Sequence, residues 1–112
     1  MPIESKQLDP GVVVITVSGR LVMGKDVERL ETVVKDFAAQ GQQKVFIMDL
    51  TPLDYADSSG IGTFVSCLTT VKKSGAEMRL AGANPRIQRL FTITGVDHLM
   101  SLFPTVAAAT GG

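Results

Sequence analysis

The sequence predicts a single α/β domain with a partly parallel sheet. Three observations carry this: the chain length, an ordinary balance of apolar and charged residues, and a hydrophobic period that switches between that of strands and that of helices. A chain of 112 residues suits one core and leaves no room for two. Apolar residues make up 45% and charged residues 20%, as in a chain that folds rather than one that stays disordered. A domain of this size buries enough core without disulfides or metals. The alternation of strands with helices points to crossovers that lay the helices against the sheet.

The elements follow in order. Ile3 to Leu8 is an extended segment that meets a turn signal at Asp9-Pro10-Gly11. Val12 to Ser18 is rich in β-branched residues, so the two segments form a hairpin. From Asp26 the period changes: Val27, Leu30, Val33, Val34 and Phe37 recur at helical spacing, with Asp26 as the cap and Gly41 as the stop. Val45 to Met48 with Leu50 is a near-continuous apolar run, the pattern of a strand covered on both faces. A short loop, Thr51 to Asp57, leads to a second helix from Ser58 to about Lys73, with Ile61, Phe64, Val65, Leu68 and Val71 as its apolar stripe. Met78 to Ala81 is a further strand. Asn84 and Pro85 open a third helix as cap and first residue, Ile87, Leu90 and Phe91 face inward, and Gly95 closes it. Leu99 to Phe103 adds a short strand and Thr105 to Ala109 a helical turn. The order is β-β-α-β-α-β-α-(β)-(α). The core spans about residues 3–108, and the Ala- and Gly-rich end, residues 107–112, is expected to fray.

Composition narrows the function. Eleven basic and eleven acidic residues balance, which argues against a general electrostatic footprint for nucleic acid or anionic lipid. Cys67 is the single cysteine and His98 the single histidine, so neither a disulfide framework nor a histidine metal cluster is expected. Nothing near Cys67 in sequence lowers its pKa, and it reads as a buried inert thiol. The methionines at 23, 48, 78 and 100 read as core or contact filler, and Arg86 and Arg89 as solvated charges. No apolar run approaches a membrane span, and Met1 to Lys6 lacks a basic segment followed by an apolar one. A cytoplasmic protein without cofactor or metal is expected.

The informative stretch is Leu50 to Gly62, where a buried strand gives way to a helix. A helix start exposes unpaired N–H groups and the positive end of the macrodipole. Ser58 as the cap accepts from one of those groups, and its loss would then cost about 0.5–2 kcal/mol. Gly60 and Gly62 strip bulk from the first turns, so that a partner's backbone or a phosphate comes close. Phosphate on Ser58 adds about −1.5 to −2 charges at a site that tolerates an anion. No charged residue occurs from Ser58 to Val71, and Ser59, Gly60, Gly62, Thr63, Ser66, Thr69 and Thr70 fill the positions off the apolar stripe. The first helix instead carries Glu28, Arg29, Glu31, Lys35 and Asp36. An uncharged face of small residues suits coverage by another protein.

Leu53-Asp54-Tyr55-Ala56-Asp57-Ser58-Ser59-Gly60-Ile61-Gly62 resembles the signature of the bacterial anti-sigma factor antagonists, members of the STAS domain superfamily. Gly19-Arg20-Leu21, Gly75-Ala76-Glu77-Met78, Arg89-Leu90-Phe91 and Thr94-Gly95 extend the resemblance over about residues 3–108. It implies a STAS-type single domain, a mixed β-sheet of four to five strands with helices packed mainly on one face. It also implies partner switching: the unphosphorylated protein binds an anti-sigma factor that is a serine kinase of the GHKL type and frees a sigma factor. Phosphorylation at Ser58 ends binding, and a PP2C-type phosphatase restores it. The chain is then a substrate and not an enzyme, and nucleic acid and membrane are not direct partners. Asp57 would orient the loop and contact the kinase, and Ser59 would support the cap or the contact. The family often has an acidic residue after Gly19-Arg20-Leu21, where this chain has Val22, followed by Met23. Val22 and Met23 form an exposed apolar pair near the family's partner surface, either an altered partner contact or packing. Self-association stays open.

Two other functions are compatible with parts of the sequence. A serine hydrolase would need Ser58, Asp57 and His98 to act together, but the flanking glycine of a nucleophile elbow is absent. A non-phosphorylated STAS scaffold, a subunit of a sensory or lipid-transport assembly, shares the fold without the switch.

Overall fold

The turn at Asp9-Pro10-Gly11 sends the chain back along itself, with Gly11 at φ 81°. In the computed structural model, which describes residues 2–111, the strands are β1 (Ile3–Asp9), β2 (Val12–Val17), β3 (Gly19–Leu21), β4 (Val45–Asp49), β5 (Leu53–Ala56), β6 (Glu77–Ala81) and β7 (Ser101–Phe103). The helices are α1 (Lys25–Gln40), α2 (Ser58–Lys73), α3 (Pro85–Thr94) and α4 (Val106–Thr110), with a 3-10 turn at Val96–His98. Five strands form one sheet in the order β1-β2-β4-β6-β7. The β1–β2 pair is antiparallel and the remaining pairs are parallel. The expected mixed sheet and its hairpin are borne out.

The apolar run of β4 is divided between two cores. Phe46 and Met48 enter the main core with Val13, Ile15 and Val17 of β2 and the inner faces of α1, α2 and α3. Ile47 points the other way, into a smaller cluster with Val14, Ala81 and Ala109 of α4. Three helices therefore cover one face and one short helix part of the other. In the main core the Phe64 and Phe91 rings meet edge to face at 5.8 Å and 84°, tying α2 to α3. Each such fully buried side chain contributes about 1.5–3 kcal/mol of transfer free energy.

Four local expectations are corrected. Asp26 does not cap α1, because the helix begins one residue earlier at Lys25. Gly24 takes the cap position at φ 133° and ψ −149° without a side-chain hydrogen bond, a backbone conformation open to glycine. Asp26 and Glu28 instead lie in the first turn, beside the positive end of the helix dipole. The segment Thr51 to Asp57 is not all loop: it contains β5, which pairs in parallel with β3 as a separate two-stranded ribbon. The end of the chain is not all frayed: α4 is capped by the Thr105 hydroxyl, and Ala109 is fully buried while its carbonyl accepts from Arg79. Gly112 lies outside the described residues. Val22 is half-buried, so only Met23 of that pair is well exposed, at 76%. The third helix follows expectation: the Asn84 side chain accepts from the Ile87 N–H, Pro85 comes first, and Gly95 closes the helix in the left-handed region.

Candidate functional site

The site lies where the β3–β5 ribbon runs into α2. The register pairs Arg20 with Tyr55 and Leu21 with Ala56, which brings the Val22–Met23 loop beside the α2 start. Asp57 follows with extended backbone at φ −89° and ψ −174° and occupies the cap position. Its Oδ1 accepts from the Gly60 N–H at 2.8 Å, and its Oδ2 accepts from the Met23 N–H at 3.0 Å. Ser58 is therefore the first helical residue and not the cap. A carboxylate carries two acceptor oxygens and can serve two donors at once.

Those two N–H groups, Gly60 first and Met23 second, hold the Asp57 carboxyl below its ordinary value of 3.8, because each bond favours the charged form. The Asp57 N–H in turn donates to the Leu21 carbonyl at 3.2 Å. The same carbonyl fills the space beside Gly60: a Cβ there would run into the Leu21 oxygen, with the Leu21 carbonyl carbon and the Ala56 Cβ each 3.2 Å away. Gly60 is buried, so its missing side chain makes room for this chain's own backbone rather than a partner's. Gly62 is exposed, and a Cβ there meets nothing within 4 Å.

The Ser58 side chain is exposed, and among the described residues nothing hydrogen-bonds its hydroxyl. Ser59 is half-buried, and its carbonyl accepts from the Thr63 hydroxyl at 2.9 Å. The uncharged positions of α2 thus divide by burial. Gly60 and Thr63 are interior, while Ser58, Gly62, Ser66 and Thr69 run up the exposed face at helical spacing. The Met23 backbone, bonded to Asp57, lies at the start of α2 where that strip begins. The Arg20 guanidinium lies 4.8 Å over the Tyr55 ring on the adjacent ribbon, a contact the linear sequence does not reveal because it depends on the β3–β5 register.

Residues outside the site fall away from it. His98 is exposed and sits 3.9 Å from Asp97 in the turn after α3. With Asp57 committed to two backbone donors, the structure does not assemble Ser58, Asp57 and His98 into a hydrolase triad. Cys67 is 1% exposed, and burial pushes its thiol up to about 12, as expected of an inert thiol. Met48, Met78 and Met100 are buried. Arg86 and Arg89 are exposed.

The family model for the STAS domain matches residues 5–109. The anti-sigma-B factor antagonist of Staphylococcus aureus is 35% identical over 74 residues, covering 66% of this chain and 68% of its own length. Among solved structures, the Bacillus cell fate determinant SpoIIAA in its phosphorylated form superposes with a TM-score of 0.77 at 21% identity, over 97% of this chain and 96% of that one. A sulfate transporter family protein of Wolinella succinogenes superposes with a TM-score of 0.76 at 17% identity, over 93% and 85%. At these identities the two structures establish a shared fold.

Proposed function

The chain belongs to the STAS domain family, with the bacterial anti-sigma factor antagonists, and we propose that it works as one through a phosphorylation switch at Ser58. Unphosphorylated, it binds a GHKL-type anti-sigma factor serine kinase in the cytoplasm and frees a sigma factor. The kinase then transfers phosphate to the Ser58 hydroxyl and binding ends, until a PP2C-type phosphatase removes the phosphate. The observation that carries this reading is the exposed Ser58 hydroxyl on the first turn of α2, left free because Asp57 and not Ser58 performs the capping. A modification there removes no contact that holds the fold. The first-turn N–H groups tolerate the added anion, while a partner covering the uncharged strip has to desolvate and oppose it.

The test is incubation with the kinase and ATP, mass mapping of the product, and calorimetric affinity before and after. One phosphate at Ser58, and weaker binding by both the phosphorylated protein and Ser58→Asp, is the expected result. Phosphate elsewhere, or unchanged affinity of the modified protein, removes the mechanism. An unmodified chain that binds its partners regardless of Ser58→Asp would identify the scaffold reading, which shares its fold with the sulfate transporter family protein.

A further inference from the structure

We propose that Asp57 is a positioning residue that holds Met23 out as the apolar anchor of the docking surface, so that Met23 and Ser58 act as one epitope. This rests on the binding reading above and assigns Asp57 an internal role in place of a direct contact with the kinase. Both carboxylate oxygens are already engaged within the chain, Oδ1 by Gly60 and Oδ2 by Met23.

The bond to Met23 spans 34 positions in sequence and adds a side-chain tie to the backbone contacts that Leu21 makes with Asp57 and Gly60. Met23 is also constrained from its other side: Gly24 follows at φ 133°, a backbone position that sets the chain's exit into α1. With its backbone held on both sides, Met23 presents a side chain that is 76% exposed. Methionine adapts to varied apolar surfaces, and an anchor fixed before docking loses less entropy on binding. The helix cap alone does not require this arrangement, since serine and asparagine cap as well as aspartate with a single acceptor oxygen.

That difference separates the roles. Asp57→Ser and Asp57→Asn keep one acceptor for the Gly60 N–H and lose the second one, so both retain the cap and release Met23. In the isolated protein, amide hydrogen exchange followed by NMR is expected to show the Met23 amide losing about tenfold of its protection in both variants, well beyond any loss at the amides of Leu68 and Val71 in the second half of α2. Met23 protection equal to that of the unmodified protein would overturn the proposal without reference to any partner. The second arm is a double-mutant cycle on calorimetric affinity for the anti-sigma factor kinase. Asp57→Asn is expected to weaken binding about tenfold alone and less than about threefold in a Met23→Ala background, the coupling of two residues that act through one contact. Equal losses in both backgrounds would mean that Asp57 touches the partner itself and would overturn the positioning role. If the unmodified protein binds no such kinase, the functional reading fails while the exchange measurement still decides the role of Asp57.

Discussion

Alanine at position 60 is expected to destabilise the domain and alanine at position 62 to stabilise it, although both glycines lie early in α2. In a helix, alanine is better than glycine by about 0.5–1 kcal/mol, mostly through backbone entropy. At position 62 an added Cβ meets nothing within 4 Å, so the whole gain is realised. At position 60 the Cβ presses on the Leu21 carbonyl oxygen and approaches the Leu21 carbonyl carbon and the Ala56 Cβ at 3.2 Å. None of these atoms belongs to a flexible side chain that can swing aside. The Leu21 carbonyl is fixed by the β3–β5 pairing and by the Asp57 N–H. Overpacking costs about 1–3 kcal/mol, and a Cβ pressed into a fixed backbone oxygen belongs to the upper part of that range, about 2–3 kcal/mol, which leaves Gly60→Ala down by about 1–2.5 kcal/mol after the propensity gain. Scanning calorimetry is the assay. For a domain of this size the two variants are expected to melt on opposite sides of the parent protein, separated by at least about 5 °C. A Gly60→Ala melting temperature at or above that of the parent would refute the close approach of Leu21 to α2, and with it the geometry that places the Met23 N–H against Asp57. Gly62→Ala is further expected to weaken partner binding while raising stability, since it adds bulk to the uncharged strip.

Three other outcomes follow from the same geometry. Ser58→Ala is expected to change unfolding free energy in urea by less than about 0.5 kcal/mol, because the residue is exposed and caps nothing; the larger loss of a true cap would return Ser58 to a structural role. The Asp57 carboxyl, lowered by its bonds to the Gly60 and Met23 N–H groups, contributes stability that is present above its unfolded pKa of about 4 and is lost as pH falls through the lower folded value. Its NMR titration midpoint is therefore expected below 3.8, and Asp57→Asn flattens the acid limb of the stability curve; a midpoint above 3.8 reverses the sign and contradicts both bonds. Cys67, buried with its thiol pushed up to about 12, is expected to resist iodoacetamide at pH 8 in the native protein and to label fully in denaturant. Rapid native labelling would show that the α1–α2 packing opens.

The legible part of this protein is the part written in local chemistry. The apolar run from Val45 to Met48 announced a strand covered on both faces, and the structure sends Phe46 and Met48 into one core and Ile47 into another. Asn84, Pro85 and Gly95 marked both ends of α3, because capping and left-handed closure depend on residues adjacent in sequence. The motif from Asp57 to Gly62 marked the candidate site for the same reason: a helix start, the beginning of an uncharged run and the resemblance to the anti-sigma factor antagonists meet in one short segment.

Tertiary structure decided how the members of that segment share the work. Ser58 and Asp57 are both competent caps by residue type, and local sequence does not rank them. The choice falls to Asp57 because a second donor, Met23, arrives from a distant segment and only a carboxylate can satisfy both. Gly60 and Gly62 are equivalent in sequence, yet the Leu21 carbonyl occupies the space beside one and leaves the other open. The β3–β5 ribbon that brings Leu21 and Met23 there consists of strands too short for a period to show, and its pairing joins positions more than thirty residues apart. Composition, periodicity and motif determined the fold class and the serine to examine. The contacts of Leu21 and Met23, made across that distance, determined which residue holds the helix, which holds the loop, and why the serine is left free.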